Sequence, residues 1–342
     1  FPPTGLFLAL SLARCANRLK QTDGLDVIEM EESFGAARYA QQMVDTPIVL
    51  RLHGPHFLNV PALGLPVDPL IVEAERRCIA DAESITSPSL DVLDRVRERY
   101  ELALPDAVVI PNPVPAVSPE RRWRLDACDG KTILFVGRFD RHKGGDLVID
   151  AFRAIATRLP QTELIFVGPD RGLQVGSGET SKRQMLGEYL DEHVPPALRS
   201  RMHILGPLPG TRIEELRRQA YVTVVASRYE NFPLALAEAL SFGCPTIAAN
   251  VGGIPEIIMS ERTGLLFAGG DAADLGEKLV AMFGNPDRAA RFGQEASADM
   301  AARLSPDVVA RTTAEHYRAL ASRPARPRRR APALAALYAL SR

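Results

Sequence analysis

Two short stretches carry most of the chemistry this sequence could do. The first is Gly137-Arg138-Phe139-Asp140-Arg141-His142-Lys143-Gly144, set between an apolar run and an amphipathic one. A glycine turn leading from a strand into a helix, bracketed by two cations, suits an anion. The helix start offers unbonded N–H groups and the positive end of its dipole. Arg138 can grip phosphate with a two-pronged fork, and Lys143 adds a mobile point charge. A diphosphate is the natural ligand, although a solvated basic turn would use the same residues. The second stretch is Glu230-Asn231-Phe232-Pro233-Leu234-Ala235-Leu236-Ala237-Glu238. Pro233 suits the first turn of a helix, and Gly243 with Pro245 suits its end. Glu230 then lies in the loop before the helix and Glu238 about one to two turns inside it. The two carboxylates cannot share one contact, but they could hold separate parts of an extended ligand by accepting hydrogen bonds from sugar hydroxyls. The N–H groups of Asn231 to Leu234 offer another anion site. Two surface glutamates near a helix start would produce the same pattern.

Positioning these residues takes a layered scaffold, and the sequence supplies one. Short apolar runs alternate with longer amphipathic runs, the pattern of parallel β-α units. In the first part, strands are expected at 26–30, 47–52, 84–86 and 108–110, with helices at 6–19, 36–43, 69–80 and 90–99. Pro111-Asn112-Pro113-Val114-Pro115 and the polar stretch to Gly130 mark a break. A second series follows, with strands at 132–136, 164–167, 202–205, 222–226 and 246–249. Its helices are expected at 144–158, 184–192, 213–219, 234–242, 272–283, 287–303 and 307–321. The domain reading is therefore 1–115, a linker at 116–130, a second domain at 131–321 and a basic, disordered arm at 322–342.

The motifs resemble those of retaining glycosyltransferases of family GT4, the group 1 transferases. The stretch Glu230 to Glu238 resembles that family's E-x7-E motif, and Gly137-Arg138-Phe139 with Lys143-Gly144 resembles its diphosphate turn. Ala249-Asn250-Val251-Gly252-Gly253-Ile254-Pro255-Glu256 and Thr263-Gly264-Leu265-Leu266 resemble the segments that follow, in the same order. The resemblance covers about residues 24 to 318 and is strongest over 131–270. It implies an α/β GT-B fold, two Rossmann-like domains facing a cleft. The N-terminal domain is expected to lack its first strand or strands, because the chain opens on a later helix. By the same resemblance, Arg138, Lys143 and Gly137 would bind the donor diphosphate, and Glu238 the ribose. Glu230 would hold the donor sugar. Asn231, Phe232, Leu234, Gly252 and Gly253 would line the donor site. Leu50-Arg51-Leu52-His53-Gly54 resembles the family's strand ending in His-Gly, which puts His53 at the donor sugar. A core histidine is the bland alternative. His56 completes a His-x-x-His spacing, yet no carboxylate cluster accompanies it and the chain has no Asp-x-Asp triplet, so no metal is expected. The implied reaction moves a hexose from a UDP-, GDP- or ADP-sugar to a saccharide, lipid-linked or small-molecule acceptor, with retention and without a cofactor. A nucleotide-sugar-binding protein without turnover and a nucleotide-sugar epimerase are the rival readings.

Composition excludes several other classes. The 41 basic and 42 acidic residues among 342 nearly cancel, which gives no global field toward nucleic acid. No apolar run approaches the roughly 20 residues of a membrane span. The start lacks the basic leader and cleavage site of a signal peptide, and Phe1 in place of Met suggests a processed chain or fragment. Cys15, Cys78, Cys128 and Cys244 fit no zinc spacing and are expected to be free thiols. A cytoplasmic location follows, with peripheral contact to the inner face of the membrane through the arginines after Ser322.

Overall fold

The computed structural model describes residues 3–176 and 182–323. They form two units. One runs from the start of the described chain to Pro61, resumes at Pro66–Pro111 and takes in the chain from Val309; the other is Ala62–Leu65 with Asn112–Val308.

The first unit opens with the helix Pro3–Asp23. Its strands are β1 (Ile28–Glu31), β2 (Ile48–Arg51), β3 (Ser84–Ser87) and β4 (Val108–Val109), parallel and in that order across the sheet. Ile48, Val49 and Leu50 are fully buried, as expected for a parallel strand covered on both faces. The helices start where the sequence provides caps. Asp68 accepts from Leu70 N (2.8 Å) ahead of Pro69–Ala80, and Ser89 accepts from Val92 N ahead of Leu90–Tyr100. The helix Pro306–Ala321 corrects the expected boundary at 321, because its residues from Val309 onward belong to this first unit. Tyr317 OH donates to Glu29 Oε2 (2.5 Å), Ser84 Oγ lies 2.8 Å from His316 Nε2, and Leu320 is buried.

The second unit carries β5 (Thr132–Val136), β6 (Glu163–Val167), an antiparallel pair β7 (Leu173–Val175) and β8 (Lys182–Gln184), β9 (Met202–Gly206), β10 (Val222–Val225), β11 (Thr246–Asn250) and β12 (Leu265–Ala268). Its main sheet is parallel, in the order β12-β11-β10-β5-β6-β9. The chain starts at β5, builds outward to β6 and β9, then returns to lay β10 against β5. Strand order therefore reverses between β5 and β10, and ligands of open α/β sheets bind beyond the carboxyl ends of strands at such a switch point. The core is set by Ile133, Phe135, Phe152, Phe166 and Val224, all essentially inaccessible. The Phe135 and Phe166 rings sit 4.7 Å apart across neighbouring strands.

The expected linker at 116–130 is not a free connector. Trp123 is buried with Val117 against Ala239 and Phe242. Its backbone N donates to Phe242 O (2.8 Å) and its Nε1 to Ala220 O (2.7 Å). One indole thus straps this segment onto the second unit. The basic arm lies outside the described residues except for Ser322 and Arg323. The four cysteines are free, and burial pushes the Cys78 and Cys244 thiols up to about 12. Among the described residues, no helix is long and apolar enough to cross a membrane.

The helices Leu234–Ser241 and Pro286–Leu304 cross closely at Gly293, where an added Cβ would come within 2.1 Å of Gly243 O. Gly293→Ala must push the two apart, and it is expected to cost about 1–3 kcal/mol, seen as a lower urea midpoint. Gly187→Ala, with nothing within 4 Å of the new Cβ, should be neutral or stabilising by up to about 1 kcal/mol.

Candidate functional site

The turn after β5 is built around Phe139 and Asp140. Phe139 is fully buried; its N–H donates to Pro169 O (3.0 Å) and its carbonyl accepts from Arg171 N (3.0 Å). Asp140 is buried as well. Its Oδ1 accepts from Lys143 N (2.8 Å) and its Oδ2 from Arg138 Nε (2.6 Å). Asp140 therefore shapes the turn and aims Arg138, whose side chain stays 43% exposed. Gly144 closes the turn at φ 69°, and a Cβ there would lie 2.0 Å from Ala226 O at the end of β10. Only glycine allows the helix Gly145–Ile155 to start this close to the neighbouring strand.

The loop after β10 brings Glu230 to the same place. Glu230 is 8% exposed. Its Oε1 accepts from Lys143 Nζ (2.5 Å) and from Ser227 Oγ (2.7 Å). The cation of the first motif and the leading carboxylate of the second are thus directly paired across the switch point. Around them lies a cavity of about 300 Å³. Gly137, Arg138, Lys143, Gly168 and Glu230 are among its lining residues, as are the apolar Pro207, Leu208 and Ile213. A pocket lined by both cations and apolar side chains fits a phosphorylated ligand with an apolar part.

The other expected donor residues fare differently. Glu238 does not line this cavity; its half-exposed carboxylate pairs with Arg217 (2.8 Å), a guanidinium only 4% exposed. Leu234 opens the helix Leu234–Ser241, so its N–H falls in the first turn, where helical partners are lacking. Phe232 is partly buried against the core, and Asn231 is half-buried beside it. Gly252 and Gly253, expected to line the donor site, lie under the Glu230 loop. The Gly253 N–H is already donated to Glu230 O (2.8 Å). Gly252 has φ 53°, and a Cβ there would lie 2.2 Å from the same carbonyl. The glycine pair braces the backbone of Glu230.

The profile of the family described as glycosyl transferases group 1 matches residues 119–299. The chain belongs to the group 1 glycosyltransferases. D-inositol 3-phosphate glycosyltransferase 2 of Catenulispora acidiphila is 27% identical over 307 residues, 81% of this chain and 66% of the relative. D-inositol 3-phosphate glycosyltransferase of Nocardia farcinica is 30% identical over 233 residues, 68% of this chain and 50% of the relative. The chain spans half to two thirds of the length of these relatives. HepE of Anabaena, solved in complex with UDP, shares the fold with a TM-score of 0.70 at 19% identity, over 91% of this chain and 82% of HepE. The two parallel α/β units are those of the GT-B fold.

In the first unit of this group 1 transferase, His53 is exposed, which removes the core-histidine alternative. Its loop hangs from two buried glutamates that the sequence reading missed. Glu32 accepts from His53 N (2.8 Å) through one oxygen and from Gly54 N (2.9 Å) through the other. Glu75 accepts from His56 N (2.9 Å) and from Tyr100 OH (3.4 Å). His56 Nε2 accepts from Asp68 N (3.0 Å), so this nitrogen is spent on the loop. The only sequence signal for Glu32 was an acid at the end of a strand, a common surface feature. Burial pushes Glu32 up to about 7, against the hydrogen bonds that favour its charge, and burial pushes Glu75 to about 7 with help from the Glu32 charge.

Each glutamate holds its proton to higher pH when folded than its ordinary value of 4.5. The folded chain therefore binds more protons at these two groups across that window, and the stability they contribute is fully present below 4.5 and lost as pH rises through about 7. Glu32→Gln should flatten this decline when denaturant unfolding is followed through that range. An unchanged slope would show that Glu32 titrates alike in both states.

Proposed function

We propose that this chain binds a nucleoside diphosphate sugar in its second unit and transfers the hexose to an acceptor hydroxyl, with retention at the anomeric carbon. The observation that carries the reading is the Lys143–Glu230 pair at the switch point, beside Arg138 and within a cavity of about 300 Å³. Membership of the group 1 transferases supports it, and a neighbour of the same fold that binds UDP makes UDP the first donor nucleotide to try.

On this reading, Arg138 and Lys143 meet the diphosphate. A phosphate oxygen entering near Lys143 draws the ammonium from Glu230, and the released carboxylate becomes an acceptor for hydroxyls of the donor sugar. The two events are one exchange: the ion pair that shelters the buried carboxylate is replaced by two ligand contacts. Glu238, paired with Arg217 and not in the lining of this cavity, is assigned to the ribose hydroxyls on the family resemblance alone. As the bond from sugar to phosphate breaks, negative charge grows on the leaving diphosphate, where the cations and helix starts stabilise it. The acceptor oxygen bonds to the anomeric carbon from the leaving-group face, and the leaving phosphate takes its proton, so no protein base is required. His53 is assigned to the donor-sugar side on the family resemblance of its strand, and its loop is held by Glu32.

Glu230→Ala is expected to abolish sugar transfer while nucleotide binding, followed by calorimetry, survives. Glu238→Ala is expected to weaken nucleotide binding by about 1–3 kcal/mol, the range for losing a charged hydrogen bond. Wild-type turnover in Glu230→Ala would overturn the assignment. Tight donor binding by the wild-type chain without transfer to any saccharide, lipid-linked or small-molecule acceptor would make it a nucleotide-sugar-binding protein.

A further inference from the structure

The ladder between β5 and β10 ends at Val224↔Phe135. Beyond that pair the two strands no longer hold one another, yet Lys143 and Glu230 lie on the loops that follow. A separate set of bonds joins those loops. Arg228 N donates to His142 O (2.8 Å). The Arg228 guanidinium donates to Arg141 O (2.7 Å) and, as a fork, to both oxygens of Asp146 (2.9 and 2.6 Å). His142 Nε2 lies 2.7 Å from Tyr229 O. A carbonyl can only accept, so this nitrogen carries the proton. Burial lowers the pKa of His142, which keeps the ring neutral with the other nitrogen unprotonated.

The placement of these bonds matters more than their number. His142 adjoins Lys143 and Tyr229 adjoins Glu230, so the bond between them is one residue from each donor-site side chain, and the Arg228 bonds start two residues from Glu230. Asp146 lies in the first turn of the helix Gly145–Ile155, which links the same guanidinium to the helix start. The Arg228–Asp146 fork is mostly sheltered, with side chains 21% and 15% exposed. Paired charges of this kind with two parallel bonds fix direction as well as distance. A lysine at position 228 could not reach both carboxylate oxygens and the Arg141 carbonyl at once.

We propose that Arg228 and His142 are positioning residues that clamp the Glu230 loop to the Lys143 turn, and so set the grip on the second phosphate of the donor. This rests on the donor-site reading above. The clamp acts on the diphosphate end of the pocket, between the two loops. Pro207, Leu208 and Ile213, also in the lining, are carried by other segments. Loss of the clamp should therefore weaken recognition of the second phosphate and leave the rest of the nucleotide bound as before.

The test is calorimetric titration of the wild-type chain, Arg228→Met, Arg228→Lys and His142→Ala. Each is titrated with whichever of UDP, GDP and ADP the wild type binds best, and with the matching monophosphate. Thermal unfolding of each variant is recorded alongside. In Arg228→Met and His142→Ala, diphosphate affinity is expected to fall about tenfold and monophosphate affinity by less than about twofold. Arg228→Lys should fall between wild type and Arg228→Met. If Arg228→Met does not fold, His142→Ala, which removes no charge, decides the matter. Equal losses for both nucleotides in a folded variant, or no loss for either, overturn the clamp while leaving the donor site standing. A wild-type chain that binds none of the three diphosphates overturns the donor-site reading and the clamp with it.

Discussion

A carboxylate that is only 8% exposed cannot remain charged without partners, because burial removes the water that would stabilise it. Glu230 meets this requirement with Lys143 Nζ and Ser227 Oγ. Much of the second unit's local geometry serves that encounter. Lys143 comes from the turn after β5 and Glu230 from the loop after β10, so the two strands must be neighbours although 87 positions separate the residues. The sheet makes them neighbours by reversing its strand order there. Gly144 lets the first helix start against the end of β10, and Gly252 lets the following turn close under the Glu230 backbone.

The same interaction prepares the pocket for an anionic ligand. Arg138 is aimed by Asp140 and Lys143 is held by Glu230, so both cations are ordered before any phosphate arrives. A preorganised cation loses less side-chain freedom on binding than a solvated one. It also stabilises charge that grows on a leaving group without first having to reorient. In the first unit the corresponding economy is different. There Glu32 and Glu75 hold the His53 loop through backbone N–H groups, at the cost of burying two acids.

The parts legible in the sequence are those fixed by local rules. The strand Thr132–Val136 and the helices Ala36–Met43, Pro69–Ala80 and Ala272–Phe283 were readable from apolar period and caps, with their observed limits. The turn Gly137 to Gly144 and the stretch Glu230 to Glu238 were readable because turn glycines, paired cations and a helix start imply an anion wherever they occur. What was not legible depends on partners distant in the chain. Nothing near Gly253 shows that its N–H is spent on Glu230 O, and nothing near Trp123 shows that its indole reaches Ala220 O. The polar stretch around Trp123 looked like a linker because its few anchoring side chains leave no periodic trace. The helix Pro306–Ala321 continues the rhythm of the second unit, yet Tyr317 and His316 bond to β1 and β3. Glu32 and Glu75 read as surface acids because most glutamates are.

The central claim is that Lys143 passes from Glu230 to the donor phosphate. Titration of UDP into the wild-type chain and into Lys143→Met by calorimetry tests it most directly. Saturable binding to the wild type, weakened roughly 10- to 100-fold in a folded Lys143→Met, is the expected result. Equal affinity in the two proteins would contradict it, since the ammonium would then belong to Glu230 alone.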